Sequence, residues 1–435
     1  MSVHKVLVIG AYGFLGAEIS RKLVASGYTV LGFGRNEREA RRALPRIKWM
    51  IADLRDMATS NDWMNALEDV DAVVNCAGLL QDSGRETVAD VHDRALSSLI
   101  EACESQNVGM IHISSVGADS GASTEFLRTK AEGEQRIIAS GLSPYWIFRP
   151  GLVIGPTAYG GSSLLRMVAS IPTCMPLAFP DTAVQTVAID DVSDSVLRAL
   201  GGGMAPNARY DLVEPAPRTL RDILRLLRDW IGWKPAMTEP TLPKWVVRFI
   251  NRSSDGLAHL GWKPPVRTTA SYILKAGIVG DPEPLFQQTG AYLSPLEQTL
   301  ERYPAQSEDR LSALIQLLKP VTLITLCVFW FLSGIIGLLE LSKAASTLTD
   351  VGWSFSLSVA SVTFWSVVDI GLAIMLAFKR TAKHACWGMV AVSIIYLISA
   401  SAIIPHLWAD PLGPLVKVLP GIALALVARA MLEVR

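Results

Sequence analysis

The chain has 435 residues, enough for two or three domains, and its 40 Lys and Arg residues balance its 40 Asp and Glu residues. With a formal net charge of zero and no basic stripe, the composition argues against a nucleic-acid partner. The five cysteines form no CxxC pair, so the sequence predicts reduced thiols, without a zinc site or a disulfide framework.

Residues 1–200 alternate between two sequence patterns. Short β-branched runs lie at 5–10 (KVLVIG), 28–34 (YTVLGFG), 71–78 (DAVVNCAG) and 109–115 (GMIHISS). Helical stretches lie at Gly16–Ser26, Val88–Ser105 and Phe126–Ser140. This alternation is typical of βαβ units, in which helices cover both faces of a parallel sheet. We therefore expect an α/β Rossmann domain with a doubly wound parallel sheet over residues 1–200.

Three glycines follow the first predicted strand. Gly10, Gly13 and Gly16 form a GxxGxxG pattern where the strand turns into a helix. The first permits a tight turn, the second lets the backbone approach a pyrophosphate, and the third permits close packing of helix on strand. Because a helix N-terminus also favours an anion, the pattern predicts a dinucleotide site.

The end of the second predicted strand bears on the choice of nucleotide. NAD sites often place an acidic residue there to bind the ribose hydroxyls, but this chain has Arg35. A guanidinium can pair with a 2′-phosphate, so Arg35 favours NADP over NAD. The alternative is a solvated surface arginine.

Residues 201–310 depart from this alternation and predict a small substrate lobe and linker. One amphipathic helix is expected at 218–232 (RTLRDILRLLRDWIG). Its predicted apolar face consists of Leu220, Ile223, Leu224, Leu227 and Ile231. Proline-rich pieces follow (EPTLPK, GWKPPV, GDPEP), which indicate irregular structure.

Residues 311–435 predict an all-α transmembrane domain. The mean hydropathy of the chain is +0.32, and the apolar excess lies in its last quarter. Four candidate spans lie at about 321–340, 355–378, 385–404 and 413–431. Each approaches the roughly 20 residues that cross a ~30 Å hydrocarbon core.

Basic residues in the short loops predict the orientation of this domain. They lie before the first span, between the second and third, and after the fourth: Arg310, Lys319, Lys379, Arg380, Lys383, Arg429 and Arg435. By the positive-inside rule, the large N-terminal domain and the C-terminus are both cytoplasmic. We expect a multi-pass protein of a bacterial inner (plasma) membrane.

Asp369 lies midway along the second predicted span. An ionised acid near the bilayer centre costs roughly 2.5–3.5 kcal/mol on insertion scales and usually faces a bundle interior or a cavity. Two interpretations stay open: a role in proton transfer or head-group contact, and a protonated or hydrogen-bonded packing residue.

Six motifs in chain order resemble the extended and atypical short-chain dehydrogenase/reductases over about residues 1–300. They are GAYGFLG at 10–16, ADLRD at 52–56, NCAG at 75–78, HISSVGA at 112–118, RPGLVIGP at 149–156 and VAIDDV at 187–192. The most similar branch is the group that includes the nucleotide-binding accessory subunit of respiratory complex I. The C-terminal tail resembles the DoxX-like membrane family, mainly by hydropathy.

The resemblance implies a set of cofactor contacts and two catalytic positions. The cofactor residues are Gly10, Tyr12, Gly13, Phe14, Leu15, Gly16, Arg35, Asp53, Leu54, Asn75, Cys76, Ala77, Gly78, Lys130 and Pro150. The catalytic positions are Ser115 on the catalytic-serine strand and Lys130 beside the nicotinamide ribose. No metal ligand is implied.

The sequence departs from the family at the proton donor. The family's Tyr-x-x-x-Lys motif corresponds here to Phe126-Leu-Arg-Thr-Lys130, so the lysine is kept and the tyrosine is lost. Phe126 has no hydroxyl and cannot exchange a proton with a carbonyl. General acid–base catalysis contributes about 10²–10⁴-fold, so ordinary ketone reduction should be severely impaired.

Two interpretations survive this loss. In the first, the protein is an oxidoreductase for a hydrophobic or quinone-like substrate, with weak or unconventional catalysis. Hydride delivery to a flavin or quinone would need no donor, and substitute donors by sequence are Tyr12, Tyr145, Tyr159 and Ser115. In the second, it binds NADPH without turnover, as an assembly or sensor protein for a membrane partner. A nucleotide-sugar epimerase is disfavoured because it also uses the missing tyrosine.

The resemblance also allows a dimer, through the helices expected at 88–105 and 126–140.

Overall fold

The structure is a computed structural model that describes residues 3–78, 94–262, 264, 268–411 and 413–433. The chain forms two units. The first, the nucleotide unit, comprises Met1–Asp255 and Pro264–Arg310, and the second, the helical unit, comprises Gly256–Lys263 and Leu311–Arg435.

The strands of the nucleotide unit are β1 Lys5–Ile9, β2 Thr29–Gly34, β3 Lys48–Ile51, β4 Ala72–Asn75, β5 Gly109–Ile113, β6 Tyr145–Pro150, β7 Leu152–Ile154, β8 Ala183–Val184, β9 Thr186–Ala188, β10 Ala208–Leu212 and β11 Arg218–Thr219. Seven of them form a sheet in the order β10-β6-β5-β4-β1-β2-β3. All six pairings in this sheet are parallel. The predicted doubly wound Rossmann sheet is therefore confirmed.

The helices of the nucleotide unit are α1 Phe14–Ala25, α2 Glu37–Ala43, α3 Ser60–Leu67, α4 Ala95–Gln106, α5 Glu125–Ala139, α6 Gly160–Ala169, α7 Ile189–Leu200, α8 Leu220–Trp230, α9 Lys244–His259, α10 Thr268–Ala276, α11 Glu283–Thr289 and α12 Leu296–Arg302. Of these, α9 runs on into the helical unit. The α4 helix begins later than the expected helix at 88–105, of which residues 88–93 lie outside the described residues. The α8 helix buries its predicted apolar face. The proline-rich stretch holds four helices, α9–α12.

Alternating side chains of β1 enter two separate cores. Val6 and Val8 belong to one core, on the face covered by α1 and α7, and Leu7 and Ile9 belong to the other, which includes Trp63 of α3. All four β1 side chains are at most 1% exposed. A central parallel strand is apolar throughout because helices cover both of its faces.

The helical unit contains α13 Ser307–Leu339, which starts in the nucleotide unit, then α14 Leu341–Thr349, α15 Phe355–Ala377, α16 Lys379–Ile403 and α17 Val418–Met431. Within the described residues, three helices are long and apolar enough to cross a membrane: α13, α15 and α16. The fourth predicted span corresponds to α17, which has 14 residues. At about 1.5 Å per residue it measures roughly 21 Å, short of a ~30 Å core. The structure thus supports three of the four predicted spans as full-length helices.

Asp369 contacts a neighbouring helix of the same unit. The Ser333 hydroxyl of α13 donates to Oδ2 of Asp369 on α15 at 2.9 Å. One residue further along α13, a Cβ added to Gly334 would overlap the backbone oxygen of Ser366. The two helices therefore pack closely beside a hydrogen-bonded acid, as the packing interpretation of Asp369 expects. A functional role for Asp369 stays a prediction.

Candidate functional site

The glycine turn lies at the carboxyl end of β1. Gly10 has φ +73°, a left-handed conformation that favours glycine, and an added Cβ would lie 3.3 Å from the Ala77 nitrogen. Gly13 donates its N–H to the Gly10 oxygen at 2.8 Å and is the N-cap of α1. At Gly16 an added Cβ would overlap that same Gly10 oxygen. The turn therefore places the N-terminus of α1 at the strand ends, an arrangement suited to a phosphate group.

The rest of the loop packs against its surroundings. The Tyr12 ring lies 6.0 Å from the Trp49 ring and so close to Gly34, at the end of β2, that a side chain there would overlap it. Phe14 stacks on Tyr159 with ring centroids 5.6 Å apart, and Leu15 packs against the core. Aromatic packing thus holds both sides of the turn.

The ends of β2 and β3 carry the residues predicted to bind the adenosine half. Arg35 follows Gly34 and is exposed. Asp53 accepts hydrogen bonds from Nε and Nη2 of Arg55 at 3.0 and 2.7 Å. These bonds, together with the nearby charge of Arg35, hold the pKa of Asp53 below its usual range.

A small pocket opens beside these strand ends. Its lining is mainly apolar and consists of Ile9, Leu54, Trp63, Asn75, Ala77, Ala95, Leu96 and Leu99. It brings together three predicted cofactor residues: Leu54, Asn75 and Ala77.

The NCAG segment begins at Asn75, the last residue of β4, and continues into the residues that follow the strand. The Asn75 side chain accepts from the Ala77 N–H at 3.1 Å and lies 3.3 Å from Nδ1 of His112. Cys76 donates its N–H to the Ile9 oxygen, which ties the segment to β1, and Gly78 is exposed. Burial raises the pKa of the Cys76 thiol to about 12, so the thiol is neutral near pH 7 and a poor nucleophile.

Lys130 lies between two strand ends. Its Nζ donates to the Ile113 oxygen at 2.8 Å and to the Ala77 oxygen at 3.4 Å, and the residue is only 4% exposed. Burial lowers the pKa of Lys130 to about 8, against the opposing influence of Cys76 and Glu134. Phe126, one turn earlier on α5, is half-buried. The lysine of the family motif is thus enclosed at the strand ends, with no hydroxyl at the donor position.

Ser115 and Pro150 lie at the same carboxyl ends of the strands as Lys130. The Ser115 hydroxyl donates to the Val116 oxygen at 3.2 Å, and the Val116 N–H donates to the Pro150 oxygen at 3.2 Å. Ser115 is half-buried. The structure therefore brings Ser115, Pro150 and Lys130 to the ends of the adjacent strands β5 and β6.

A buried ionic cluster beside Lys130 was not identified from the sequence. Glu134 is 2% exposed and accepts from Nε of Arg149 at 2.7 Å, while the Ser114 hydroxyl also donates to it. Arg149 in turn donates to the Ala118 oxygen at 2.9 Å. The available signal was the i, i+4 spacing of Lys130 and Glu134 on one helix, with Arg149 at the start of RPGLVIGP. The cluster links α5, β5 and β6 behind the predicted catalytic positions.

The substitute proton donors differ in position. Tyr145 starts β6 and pairs with Met110 near the start of β5. It therefore lies at the amino-terminal ends of the strands, whereas Lys130 lies at their carboxyl ends. Tyr12 packs over Gly34 at the end of β2, where the adenosine half is predicted to bind. Tyr159 stacks on Phe14 and is 67% exposed. The position of Tyr145 removes it from the set of donors. Within the described part of the chain, no group of three His, Cys, Asp or Glu side chains could hold a metal ion.

Two family models match the chain. Residues 6–173 match the NAD dependent epimerase/dehydratase family, and residues 327–426 match the DoxX-like family. The chain thus combines an N-terminal domain like the epimerases and short-chain dehydrogenases with a C-terminal DoxX-like domain. Both predicted resemblances are confirmed.

Two named relatives each match about half of the chain. The mitochondrial NADH-ubiquinone oxidoreductase 40 kDa subunit of Neurospora crassa is 26% identical over 230 residues, covering 52% of this chain and 59% of the relative. Sterol demethylase protein B of Methylococcus capsulatus is 29% identical over 249 residues, covering 52% of this chain and 74% of the relative. The chain therefore spans about three fifths of the length of the Neurospora subunit.

Solved structures share the fold at low identity. The enzyme WbmH of Bordetella bronchiseptica in complex with NAD+ has a TM-score of 0.53 at 17% identity, covering 69% of this chain and 96% of its own. An NADPH-dependent quinone oxidoreductase of Escherichia coli in complex with NADPH has a TM-score of 0.52 at 18% identity, covering 68% and 99%. The fold is therefore one found with either nicotinamide nucleotide.

Proposed function

We propose that this protein is a membrane-anchored NADP(H)-binding oxidoreductase that transfers hydride to a hydrophobic, quinone-like substrate. The observation that carries this proposal is an intact cofactor end of the sheet beside a missing proton donor. The glycine turn and the enclosed Lys130 at the strand ends support dinucleotide binding, whereas Phe126 has no hydroxyl.

The chemistry of the acceptor explains why the donor would be dispensable. Hydride addition to a ketone produces an alkoxide, which is too basic to persist without a proton donor. Hydride addition to a quinone produces a phenolate-type anion, and phenols such as tyrosine have a pKa near 10. Water can protonate that anion after the hydride has moved. The residues of this chain then need only to bind NADPH and orient it against the quinone.

The names of the relatives support a hydrophobic substrate class. One relative is named as a subunit of an NADH-ubiquinone oxidoreductase and another as a sterol demethylase protein. Ubiquinones and sterols are both lipid-soluble. A nucleotide domain joined to apolar helices would meet such a substrate at the bilayer that holds it.

A second function is favoured by the same relative from Neurospora. A protein named as a subunit acts within a larger assembly, and an NADPH-binding domain without a proton donor suits a structural or sensing role in a membrane complex. In this alternative, NADPH binds without turnover, and a membrane protein is the partner.

The preference for NADP is supported by Arg35, which is exposed at the end of β2. We expect Arg35→Ala to weaken NADPH binding roughly tenfold and to leave NADH binding nearly unchanged, because a guanidinium–phosphate pair contributes about 1–3 kcal/mol. Isothermal titration of both nucleotides checks this. Arg21→Ala, an exposed arginine on α1, serves as the matched control, and equal losses for both nucleotides would contradict a 2′-phosphate contact.

The proposed location is a bacterial inner membrane, with the N-terminal domain and C-terminus cytoplasmic. The division into residues 1–200, 201–310 and 311–435 stays a prediction, as does a crossing by α17. A reporter that fluoresces only in the cytoplasm, fused after the C-terminus, distinguishes a fourth crossing from a periplasmic end.

The test of the proposed function is a titration of detergent-solubilised full-length protein with NADPH and NADH, followed by NADPH oxidation with a soluble quinone. Binding with turnover supports the oxidoreductase. Binding without turnover across quinones and lipid aldehydes favours the assembly or sensor role. Absence of binding contradicts both.

A further inference from the structure

The α9 helix presents large apolar side chains outward. Trp245 is 70% exposed, Phe249 68% and Leu257 40%. The side chains of Asn251 and Ser254, in contrast, face inward and are at most 9% exposed. Asn251 accepts a hydrogen bond from the Ser271 hydroxyl of α10 at 2.9 Å. The helix thus packs partly through polar groups and leaves its largest apolar side chains uncovered, which is unusual for a helix that faces water alone.

The exposed face of α9 consists of two adjacent rows at i, i+4 spacing. One row is basic, with Lys244, Arg248 and Arg252, and the neighbouring row carries Trp245, Phe249, Ser253 and Leu257. All seven side chains are exposed. Among the described residues, none of the three cations forms an ion pair, so their charge is directed to the surroundings of the helix. An apolar row beside a basic row is typical of helices that lie in the headgroup layer of a membrane.

Within the helical unit, the residues that follow α9 form hydrogen bonds with the apolar helices α15 and α16. The Leu260 oxygen accepts from the N–H of Lys379, and the Trp262 indole donates to the Ala377 oxygen at 2.7 Å. Ala377 ends α15 and Lys379 begins α16, so these bonds reach the short connection between two apolar helices. Lys379, Arg380 and Lys383 make this connection basic, as expected of a span end at a membrane surface. The residues after α9 are therefore held where a bilayer would end.

We propose that the exposed face of α9 docks on the surface of an anionic lipid bilayer. Trp245, Phe249 and Leu257 enter the boundary between headgroups and acyl chains, and Arg248 and Arg252 bind anionic lipid headgroups. The long basic side chains reach the phosphates while their stems cover apolar surface. The inference stands independently of catalysis, because it uses no residue of the nucleotide site.

The experiment places full-length protein labelled with 5-fluorotryptophan in nanodiscs of phosphatidylglycerol and phosphatidylcholine. The ¹⁹F resonance of Trp245 is identified by its loss in Trp245→Phe, and that of Trp49, a half-buried control beside β2, by Trp49→Phe. A doxyl-labelled lipid should broaden the Trp245 signal at least threefold more than the Trp49 signal. A water-soluble gadolinium chelate should leave Trp245 protected. Broadening of Trp245 by the chelate alone would overturn the proposal, and so would protection from both agents, which would indicate a protein cover.

Charge reversal tests the headgroup contact separately. We expect Arg248→Glu with Arg252→Glu to reduce the lipid-induced broadening of Trp245 at least twofold in anionic nanodiscs. The matched control reverses Arg41 and Arg42, which are exposed on α2. Equal broadening in the two double variants would overturn the role of the basic row.

Discussion

The nucleotide unit and the helical unit use glycine and apolar residues under different constraints. In the nucleotide unit, Gly10 and Gly16 are required by backbone contacts at a single turn, and four of the five residues of β1 belong to one of the two cores. In the helical unit, Gly334 lies at a close helix crossing, whereas Gly371 on α15 has no atom within contact distance of an added Cβ. Sequence motifs therefore indicate individual roles in the first unit, and only composition and length are informative in the second.

The largest effect should come from Gly16→Ala, because the new methyl group overlaps the Gly10 oxygen. Backbone at the turn must shift, and we expect NADPH affinity to fall about 100-fold, with a loss of about 1–3 kcal/mol in the free energy of unfolding. Isothermal titration and chemical unfolding measure the two effects. Gly256→Ala, where nothing lies within 4 Å, is the control. Equal affinities for the two variants would mean that the turn does not hold the nucleotide.

The next largest effect should be a gain of activity in Phe126→Tyr. The new hydroxyl would stand one turn before Lys130, where the family places its proton donor, so carbonyl reduction with NADPH should rise roughly 100-fold. The rate is measured over a panel of aldehydes and ketones. Phe286→Tyr adds the same hydroxyl at a half-buried position on α11 and should change nothing. Unchanged carbonyl reduction in Phe126→Tyr would count against a site disabled by this loss alone.

The buried Lys130 predicts a pH effect on stability. Its folded-state pKa is lowered to about 8, while an unfolded lysine keeps its proton to about pH 10.4. Between these values the unfolded chain binds more protons, so the free energy of unfolding rises with pH by about 1–3 kcal/mol from this group. Unfolding curves at pH 8, 9 and 10 should show the rise in the wild type and in the exposed control Lys48→Met, and should lack it in Lys130→Met. A rise of equal size in all three proteins would assign it to other groups.

The smallest effects should separate two glycines of the helical unit. Gly334→Ala inserts a methyl group against the backbone of Ser366. It should lower the free energy of unfolding in detergent by about 1–3 kcal/mol. Gly371→Ala meets open space and should leave stability within about 1 kcal/mol of the wild type, on the stabilising side, through helix propensity. The measurement is the unfolding midpoint of each variant. A larger loss at Gly371 would show that another helix covers this face in the solubilised protein.

Much of the nucleotide unit was predictable because its signals are local. The β-branched runs at 5–10 and 71–78 contain β1 and β4, and the predicted helix start at Gly16 lies within two residues of the start of α1. The Glu134–Arg149 pair was missed because its members are 15 residues apart and meet only when α5 packs against β6. The fourth predicted span, at 413–431, starts five residues before α17, which begins at Val418, and its crossing stays a prediction.

The sequence by itself determined the two classes of structure, the glycine turn and the absence of the family's tyrosine, because each depends on residue type and spacing along a few turns of chain. Only the tertiary structure decided that Lys130 donates to the carbonyls of Ile113 and Ala77, and that Tyr145 lies at the opposite ends of the strands from Lys130. It also decided which face of α9 points outward. The physical reason is that burial and hydrogen-bond partners depend on which distant segments pack together, and this information is not contained in local periodicity.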